Sequence, residues 1–173
     1  MTRRPPEGDR GRRKGTTMAL GLSSSQWKRG ETIPKKYTGD GADVSPPLQF
    51  EQVPPGTRAL ALICDDPDAP VGTWTHWVIY DVPGSAKGLP EGVAKKPSLP
   101  DGSRQGSNSW KKVGYGGPSP PPGKPHRYFF RLYALREPLG LPEGLGASEV
   151  ESAARSRAIE SAELMGTYGR TAR

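Results

Sequence analysis

The chain has 173 residues, a length typical of a single domain, and carries 25 Lys or Arg against 18 Asp or Glu, for a net charge of +7. Its 23 glycines and 20 prolines fall between apolar runs rather than in a repeat, which favours a turn-rich β fold over a fibrous or low-complexity chain. No apolar run approaches the ~20 residues that span a bilayer, so no transmembrane segment is predicted. The single cysteine, Cys64, excludes an intrachain disulfide and a cysteine-based zinc cluster, and we expect a buried, inert thiol.

Residues 1–17, MTRRPPEGDRGRRKGTT, hold six Lys or Arg against two acidic residues, a net +4 that leaves +3 of the total +7 for the rest of the chain. This composition predicts a disordered basic tail, and Met18 is an alternative start of the protein. The tail has no aromatic residue on which bases could stack, so we expect no specific nucleic-acid partner. The apolar stretch after it, MALGL, is shorter than the h-region of a signal peptide, which favours a cytoplasmic protein with one domain over 18–173.

The first strong strand signal follows a loop-rich entry, ETIPKKYTGDGADVSPPLQF, in which strand character is confined to the end. RALALICD, Arg58–Asp65, is a near-continuous apolar run too short for a typical helix, which predicts a strand covered on both faces. DDPDAPVGT then ends the strand with two prolines and a glycine.

Two further strands are predicted from aromatic and β-branched residues, WTHWVIYDV at 74–82 and HRYFFRLYAL at 126–135. A period of two places these side chains on one face of the first strand: Trp74, His76, Val78 and Tyr80. The same period places four side chains on one face of the second strand: His126, Tyr128, Phe130 and Leu132. The polar, Gly/Pro-rich stretch between them, 84–124, is long for a loop, and such loops are usually functional or mobile.

The last predicted element is an amphipathic helix. Ser148 and Glu151 form a capping-box pattern, and Gly166 is a natural stop. Apolar residues recur every three or four positions between them: Val150, Ala154, Ala158, Ala162 and Met165. One helix at the end of an otherwise β chain is expected to cover an edge or a face of a sheet sandwich.

The stretch GYGGPSPPPGKPHRYFF, 114–130, allows three interpretations: a P-loop, a proline-rich ligand or a pocket wall. A P-loop needs four residues before its Gly-Lys pair, whereas five separate Gly117 from Gly123-Lys124, and the prolines remove backbone N–H donors. A polyproline II ligand stays open because Pro118 and Pro121 form a PxxP pattern, although the run leads at once into a predicted strand. The pocket-wall interpretation depends on the rest of the chain.

The two histidines and the densest acidic cluster all fall beside predicted strand ends. Asp66 and Asp68 follow the first strand, and a short loop would bring one of them near the strand of His76. A strand histidine is more often a core residue, and Asp-Pro-Asp is often turn chemistry. The joint pattern nevertheless favours a site at these strand ends, because both His76 and His126 and the acidic cluster fall beside them.

DDPDAPVGTWTHWVIYDVP and GYGGPSPPPGKPHRYFFRLYAL together strongly resemble the phosphatidylethanolamine-binding protein family, most closely its bacterial branch of Raf-kinase-inhibitor-like proteins. IPKKYTGDGADVSPPL and AELMGTYGR look like that branch too, so the resemblance covers roughly residues 22–170. It implies a mainly β fold, an antiparallel β-sandwich of Greek-key type with a C-terminal α-helix and long Gly/Pro-rich loops. It also implies a small anion pocket near one end of the sandwich.

The resemblance assigns nine residues of this chain to that pocket: Asp66, Asp68, Trp74, His76, Gly116, Gly117, Pro118, His126 and Tyr128. Ser119 stands where many bacterial members carry Cys, so thiol-dependent behaviour is not expected. The residue chemistry suits phosphoethanolamine, because a histidine can take up a proton beside an anion and a tyrosine O–H can donate to it. We expect the phosphate by His126 and Tyr128, and the amine by Asp66 and Trp74.

Three functions stay open at this point. The first is a non-enzymatic binding protein for a small phosphorylated or anionic ligand, with contact to lipid head groups. The second is a regulatory protein that inhibits a kinase or protease, for which an exposed patch within Lys95–Trp110 is the place to look. The third is a metal-dependent or acid–base enzyme that uses the Asp/His/His cluster, although the chain has no GxSxG or HExxH motif. We predict no catalytic residue, no metal and no cofactor.

Overall fold

The computed structural model describes residues 19–171, so the predictions on the basic tail and on Met18 lie outside the described residues. Within that range the chain forms eight strands, one α-helix and a short 3-10 helix at Lys35–Tyr37. The strands are β1 Gly21–Ser23, β2 Leu48–Glu51, β3 Ala59–Asp66, β4 Trp74–Pro83, β5 Gly88–Leu89, β6 Arg104–Gln105, β7 His126–Leu135 and β8 Ala158–Tyr168, and the helix is α1 Ala147–Arg157.

The strands form two antiparallel sheets, which confirms the prediction of a mainly β fold with a C-terminal helix. The smaller sheet has the order β1-β2-β5 and the larger one β6-β4-β3-β7-β8. Apolar side chains from both sheets meet in one core, to which β2 contributes Leu48 and Phe50. A second core lies on the other face of the larger sheet, where α1 packs through Val150 and Ala154.

Strand β3 is buried along its whole length, as its uninterrupted apolar sequence predicts. Leu60 and Leu62 point into the core between the sheets, whereas Ala61 and Ile63 belong to the core beneath α1. Cys64 is buried and unpaired, and burial raises the pKa of its thiol, so the prediction of an inert thiol is consistent with its environment.

The predicted helix is correct at its start but wrong in its length. It follows Gly146 with no side-chain capping bond, so the capping box is not formed, and it ends at Arg157. The next eleven residues form β8, which pairs with β7 along its length and so satisfies the outer backbone groups of β7, while β8 itself is the edge strand of the larger sheet. The spacing of four between Ala158 and Ala162 fits a period of two as well as a helix, so the pattern did not distinguish them.

Gly166 lies inside β8 rather than at a helix end. A Cβ atom at this position would lie 2.5 Å from Cγ1 of Ile33 and 2.7 Å from Nε1 of Trp27, both in the core between the sheets. Gly166→Ala is therefore expected to lower the free energy of unfolding by about 1–3 kcal/mol through overpacking, measured by chemical denaturation. Ser161→Ala, at an exposed position of the same strand, should change it by less than ~0.5 kcal/mol. Equal stabilities of the two variants would contradict the close packing.

Candidate functional site

The candidate site lies where β3 ends and where β4 and β7 begin. Antiparallel pairing sets Asp66 against Trp74 and Asp65 against Phe129, so His126 starts β7 beside the end of β3. A cavity of about 240 Å³ opens at this edge. It is lined by Asp66, Ala69, Pro70, Val71, Trp74, His76, Trp110, Ser119, Pro120, Pro121 and His126. Four of the nine predicted site residues thus line one cavity.

A β-bulge places His76 in this group. Cys64 pairs with Trp77, whereas the next residue of β3, Asp65, pairs with Thr75, which leaves His76 as the extra residue. Val78 and Tyr80 lie in the core beneath α1, but the His76 ring lies 5.1 Å from that of Tyr128 in the core between the sheets. The expectation that Trp74, His76, Val78 and Tyr80 share one face is therefore wrong, because the bulge reverses the alternation.

Asp66 and His126 form a hydrogen-bonded pair. His126 Nδ1 lies 2.7 Å from Asp66 Oδ2, and the side chains are 12% and 4% exposed. Because a carboxylate accepts and does not donate, Nδ1 carries the proton, which leaves Nε2 as the remaining ring nitrogen. The other carboxylate oxygen accepts the backbone N–H of Asp68 at 2.7 Å. The pair fixes the orientation of the His126 ring, so its Nε2 is the nitrogen that can contact a ligand.

His76 has a different role in the cavity wall. Its Nδ1–H donates to the carbonyl oxygen of Gly116 at 2.7 Å, and the N–H of Gly116 donates to the His76 carbonyl at 2.9 Å. Burial lowers the pKa of His76, against smaller opposing effects of the Gly116 carbonyl and the charge of Asp66. His76 is therefore neutral at pH 7, and its free Nε2 can accept a hydrogen bond.

Two buried donors near the cavity have no partner among the described residues: one on Trp74, which lines the cavity, and one on Tyr128, which does not line it but contacts the His76 ring. They are the O–H of Tyr128 and the Nε1–H of Trp74. Burial, and next the charge of Asp66, raise the pKa of Tyr128, so its phenol keeps its proton. A buried donor without an acceptor costs about 1–3 kcal/mol, and such groups are uncommon in proteins. Trp74 can therefore donate directly to an oxygen-rich ligand in the cavity, whereas the O–H of Tyr128 can donate only to a ligand that extends beyond the cavity lining.

Asp68 lies outside the cavity. Its carboxylate accepts three hydrogen bonds from the backbone and side chain of Arg127, at 2.8–3.0 Å. The Arg127 guanidinium lowers the pKa of Asp68 to about 2. The two residues border a neighbouring depression with Lys124, Pro125 and His126, so His126 lines both this depression and the cavity. Asp68 therefore holds the start of β7 in place.

The glycine–proline loop forms a wall behind the cavity. The Trp110 ring packs on Gly116, where an added Cβ would lie 2.5 Å from Cζ3. The N–H of Gly117 donates to Asp43 Oδ1 at 2.6 Å, and the carbonyl of Pro118 accepts the N–H of Gly39 at 2.8 Å. These three loop residues do not line the cavity of about 240 Å³. Their contacts hold Trp110 and the prolines that do.

The nine predicted pocket residues do not include Trp110 or Val71, although Trp110 ends the segment Lys95–Trp110 in which an exposed patch was expected. The Trp110 ring meets the rings of Trp74 and His76 edge-to-face, at 5.5 and 5.1 Å. Val71 is 79% exposed and Trp110 is 39% exposed, two of the large apolar side chains of the described chain that face solvent. The sequence feature that could have indicated Trp110 is that it is the single tryptophan in the polar stretch 84–124.

Two absences concern the described residues alone. Between residues 19 and 171, no group of three or more His, Cys, Asp or Glu side chains is placed to hold a metal ion. Over the same residues no helix has the length and apolar character needed to cross a membrane.

Comparison with known proteins yields one family and several relatives. A family model described as phosphatidylethanolamine-binding protein matches residues 23–169. The UPF0098 protein of Aquifex aeolicus is 48% identical over 149 residues, which are 85% of this chain and 86% of that protein. A phosphatidylethanolamine-binding protein homolog of Chlamydia trachomatis has a crystal structure with a TM-score of 0.81 and 37% identity, covering 88% of this chain and 99% of that one. The crystal structure of E. coli YbcL, described as a new member of the mammalian family, has a TM-score of 0.80 and 31% sequence identity. It also covers 88% of this chain and 99% of that one.

Proposed function

The chain belongs to the phosphatidylethanolamine-binding protein family, and from that premise we propose that its cavity binds a small phosphate-bearing ligand, such as a phosphoethanolamine head group, without transforming it. The observation that supports this best is the pair of unpartnered buried donors on Tyr128 and Trp74. Trp74 lines the cavity together with the imidazole of His126, which Asp66 holds in one orientation. Tyr128 lies two residues after His126 on β7. Phosphate oxygens accept hydrogen bonds and carry negative charge, which matches both features.

The amine half of the ligand is assigned to Asp66 and the neighbouring indole rings. Each oxygen of Asp66 already accepts one hydrogen bond, from His126 and from the backbone of Asp68. Each oxygen can still accept another, and the faces of Trp74 and Trp110 could attract a cation by about 0.5–2 kcal/mol. Calorimetric titrations with inorganic phosphate and with phosphoethanolamine separate the contributions of the phosphate and the amine. Equal affinities for the two ligands would remove the amine from the proposal.

Tyr128→Phe tests the phosphate half. We expect it to weaken binding of inorganic phosphate about tenfold in a calorimetric titration, because one hydrogen bond to a charged group is lost. It should also raise the stability of the ligand-free protein by up to about 1 kcal/mol, because the buried O–H has no partner. A purely structural role of the hydroxyl would not produce both changes.

Tyr133→Phe is the matched control for this experiment. Tyr133 lies on the same strand but in the core beneath α1, where its O–H donates to Glu151. Its replacement should leave phosphate affinity unchanged. Unchanged affinity in Tyr128→Phe would exclude Tyr128 as a ligand donor, and absence of any phosphate or phosphoethanolamine binding by the unmodified protein would overturn the proposed function.

A second candidate function is regulation of a protein partner, such as a kinase or protease. The observation that favours it is the exposure of Val71 and Trp110 beside the cavity, because exposed apolar side chains mark interaction sites. A partner that docks there should be released both by Val71→Ser and by saturating phosphoethanolamine in a pull-down. A partner insensitive to both would not use this surface.

A further inference from the structure

A second cavity, of about 470 Å³, lies next to the candidate site. The two cavities share Trp110 and Ser119. The second is lined by Gly39, Asp43, Lys95, Asn108, Trp110, Lys112, Val113, Tyr115, Gly116, Gly117 and Ser119. The Trp110 indole therefore forms a partition between them.

Asn108 fixes the loop segments that carry the two lysines of this cavity. The Asn108 side chain is buried, donates to the carbonyl of Gly114 at 3.0 Å, and accepts the backbone N–H of Lys112 at 3.2 Å. Gly114 has a φ of 98° and packs against Lys95, because a Cβ at Gly114 would lie 2.9 Å from that of Lys95. A buried side chain and a close backbone contact thus position Lys95 and Lys112.

The walls of the second cavity carry a net positive charge. Its two ammonium groups face one carboxylate, Asp43, whose Oδ1 already accepts the N–H of Gly117. Lys95 Nζ lies 3.8 Å from Asp43 Oδ2, beyond hydrogen-bond distance, and no carboxylate of residues 19–171 forms an ion pair with Lys112. The backbone is also strained here, with φ of 55° at Asp43 and 62° at Lys111. Such strain concentrates at functional sites.

We infer that the second cavity binds a second anionic group of the ligand, either a carboxylate or a phosphate, through Lys95 and Lys112. This inference rests on the proposed function, because the first phosphate lies by His126 on the other side of Trp110. The ligand class is therefore a phosphorylated compound with two anionic groups. Lysine ammonium groups attract both carboxylates and phosphates, so the experiment below decides which of the two anions the second cavity binds.

Two matched pairs of probes test this inference by calorimetric titration. O-phosphoserine differs from phosphoethanolamine by one carboxylate, and fructose 1,6-bisphosphate differs from fructose 6-phosphate by one phosphate at a longer reach. At least one doubly anionic probe is expected to bind about tenfold more tightly than its partner, the effect of one charge-assisted contact. In K95Q/K112Q this preference should disappear while the affinity for the singly phosphorylated probe is retained.

K87Q/K96Q is the control, since it removes the same charge from exposed positions that do not line the cavity. It should keep the preference. If the unmodified protein binds both members of each pair equally, or if K95Q/K112Q and its control behave alike, the inference is wrong while the proposed function stands. If doubly anionic probes bind through the lysines but His126→Ala has no effect, the second cavity is supported and the proposed function is overturned.

Discussion

Replacing His126 with alanine is expected to weaken the binding of inorganic phosphate roughly 10- to 100-fold at pH 6.5, measured by calorimetry. A hydrogen bond to a charged group contributes about 1.5–3 kcal/mol, which corresponds to that range. His126 is the histidine whose ring is held by a carboxylate, since its Nδ1 lies 2.7 Å from Asp66 Oδ2. His76 instead donates to a backbone carbonyl, and burial keeps it neutral.

Asp66→Asn separates the charge of the pair from its shape. The amide is similar in size but accepts the Nδ1–H of His126 less strongly than a carboxylate, so it holds the imidazole less firmly and phosphate affinity should fall by about tenfold. The double variant His126→Ala/Asp66→Asn should bind no more weakly than His126→Ala, because residues that act as one unit are not additive. Additive losses would mean that Asp66 contacts the ligand itself.

Asp68→Asn is the control for the charge change. Asp68 carries the same charge two residues away, but its carboxylate is bound to Arg127 outside the cavity. Its replacement should change phosphate affinity less than about twofold, because partly exposed ion pairs contribute about 0–1 kcal/mol. A large loss in Asp68→Asn would instead place the anion in the neighbouring depression, which Asp68 and Arg127 line together with His126.

The parts of the fold that could be predicted are those in which one local pattern determined the structure. The β3 run is apolar throughout because it is buried on both faces, and its length excludes a typical helix. Strand β7 keeps a strict period of two, so Tyr128 and Phe130 lie in the core between the sheets, as expected. The family followed from long motifs, and the matching family model confirms it.

The parts that could not be predicted depend on pairing between distant segments. Strand β8 has a spacing that suits a helix, and its pairing with β7 decides its structure. The bulge at His76 appears only when β3 and β4 are placed side by side. Trp110 reaches the cavity because it packs on Gly116, a contact that single-residue patterns do not encode. The roles assigned to the nine predicted site residues stay predictions until ligand binding is measured.

Replacing Gln105 with alanine is expected to lower the free energy of unfolding by about 3–5 kcal/mol in chemical denaturation. Gln105 is fully buried at the end of β6, and its Oε1 accepts the indole N–H of Trp77 at 2.7 Å. Its Nε2 donates to the carbonyls of Ala94 and Lys96 at 2.7 and 2.9 Å. Three polar groups lose their partner at once, and each unsatisfied group costs about 1–3 kcal/mol.

Gln49→Ala is the control, because Gln49 is exposed on β2 and its loss should cost less than ~0.5 kcal/mol. Trp77→Phe removes the unpaired indole donor, so in the Gln105→Ala background it should cost less than in the unmodified protein. Equal costs of Trp77→Phe in both backgrounds would show that the Trp77–Gln105 hydrogen bond contributes nothing to stability.

The same variant also links the stability of the fold to the second cavity. Gln105 holds the carbonyls on both sides of Lys95, and Lys95 is one of the two lysines that line that cavity. Gln105→Ala should therefore reduce the preference for doubly anionic probes while leaving the affinity for inorganic phosphate within about twofold, because His126 is held by Asp66 on other strands. An equal loss of affinity for all probes would indicate that the variant disturbs both cavities together, and that the Trp110 partition does not separate their ligand contacts.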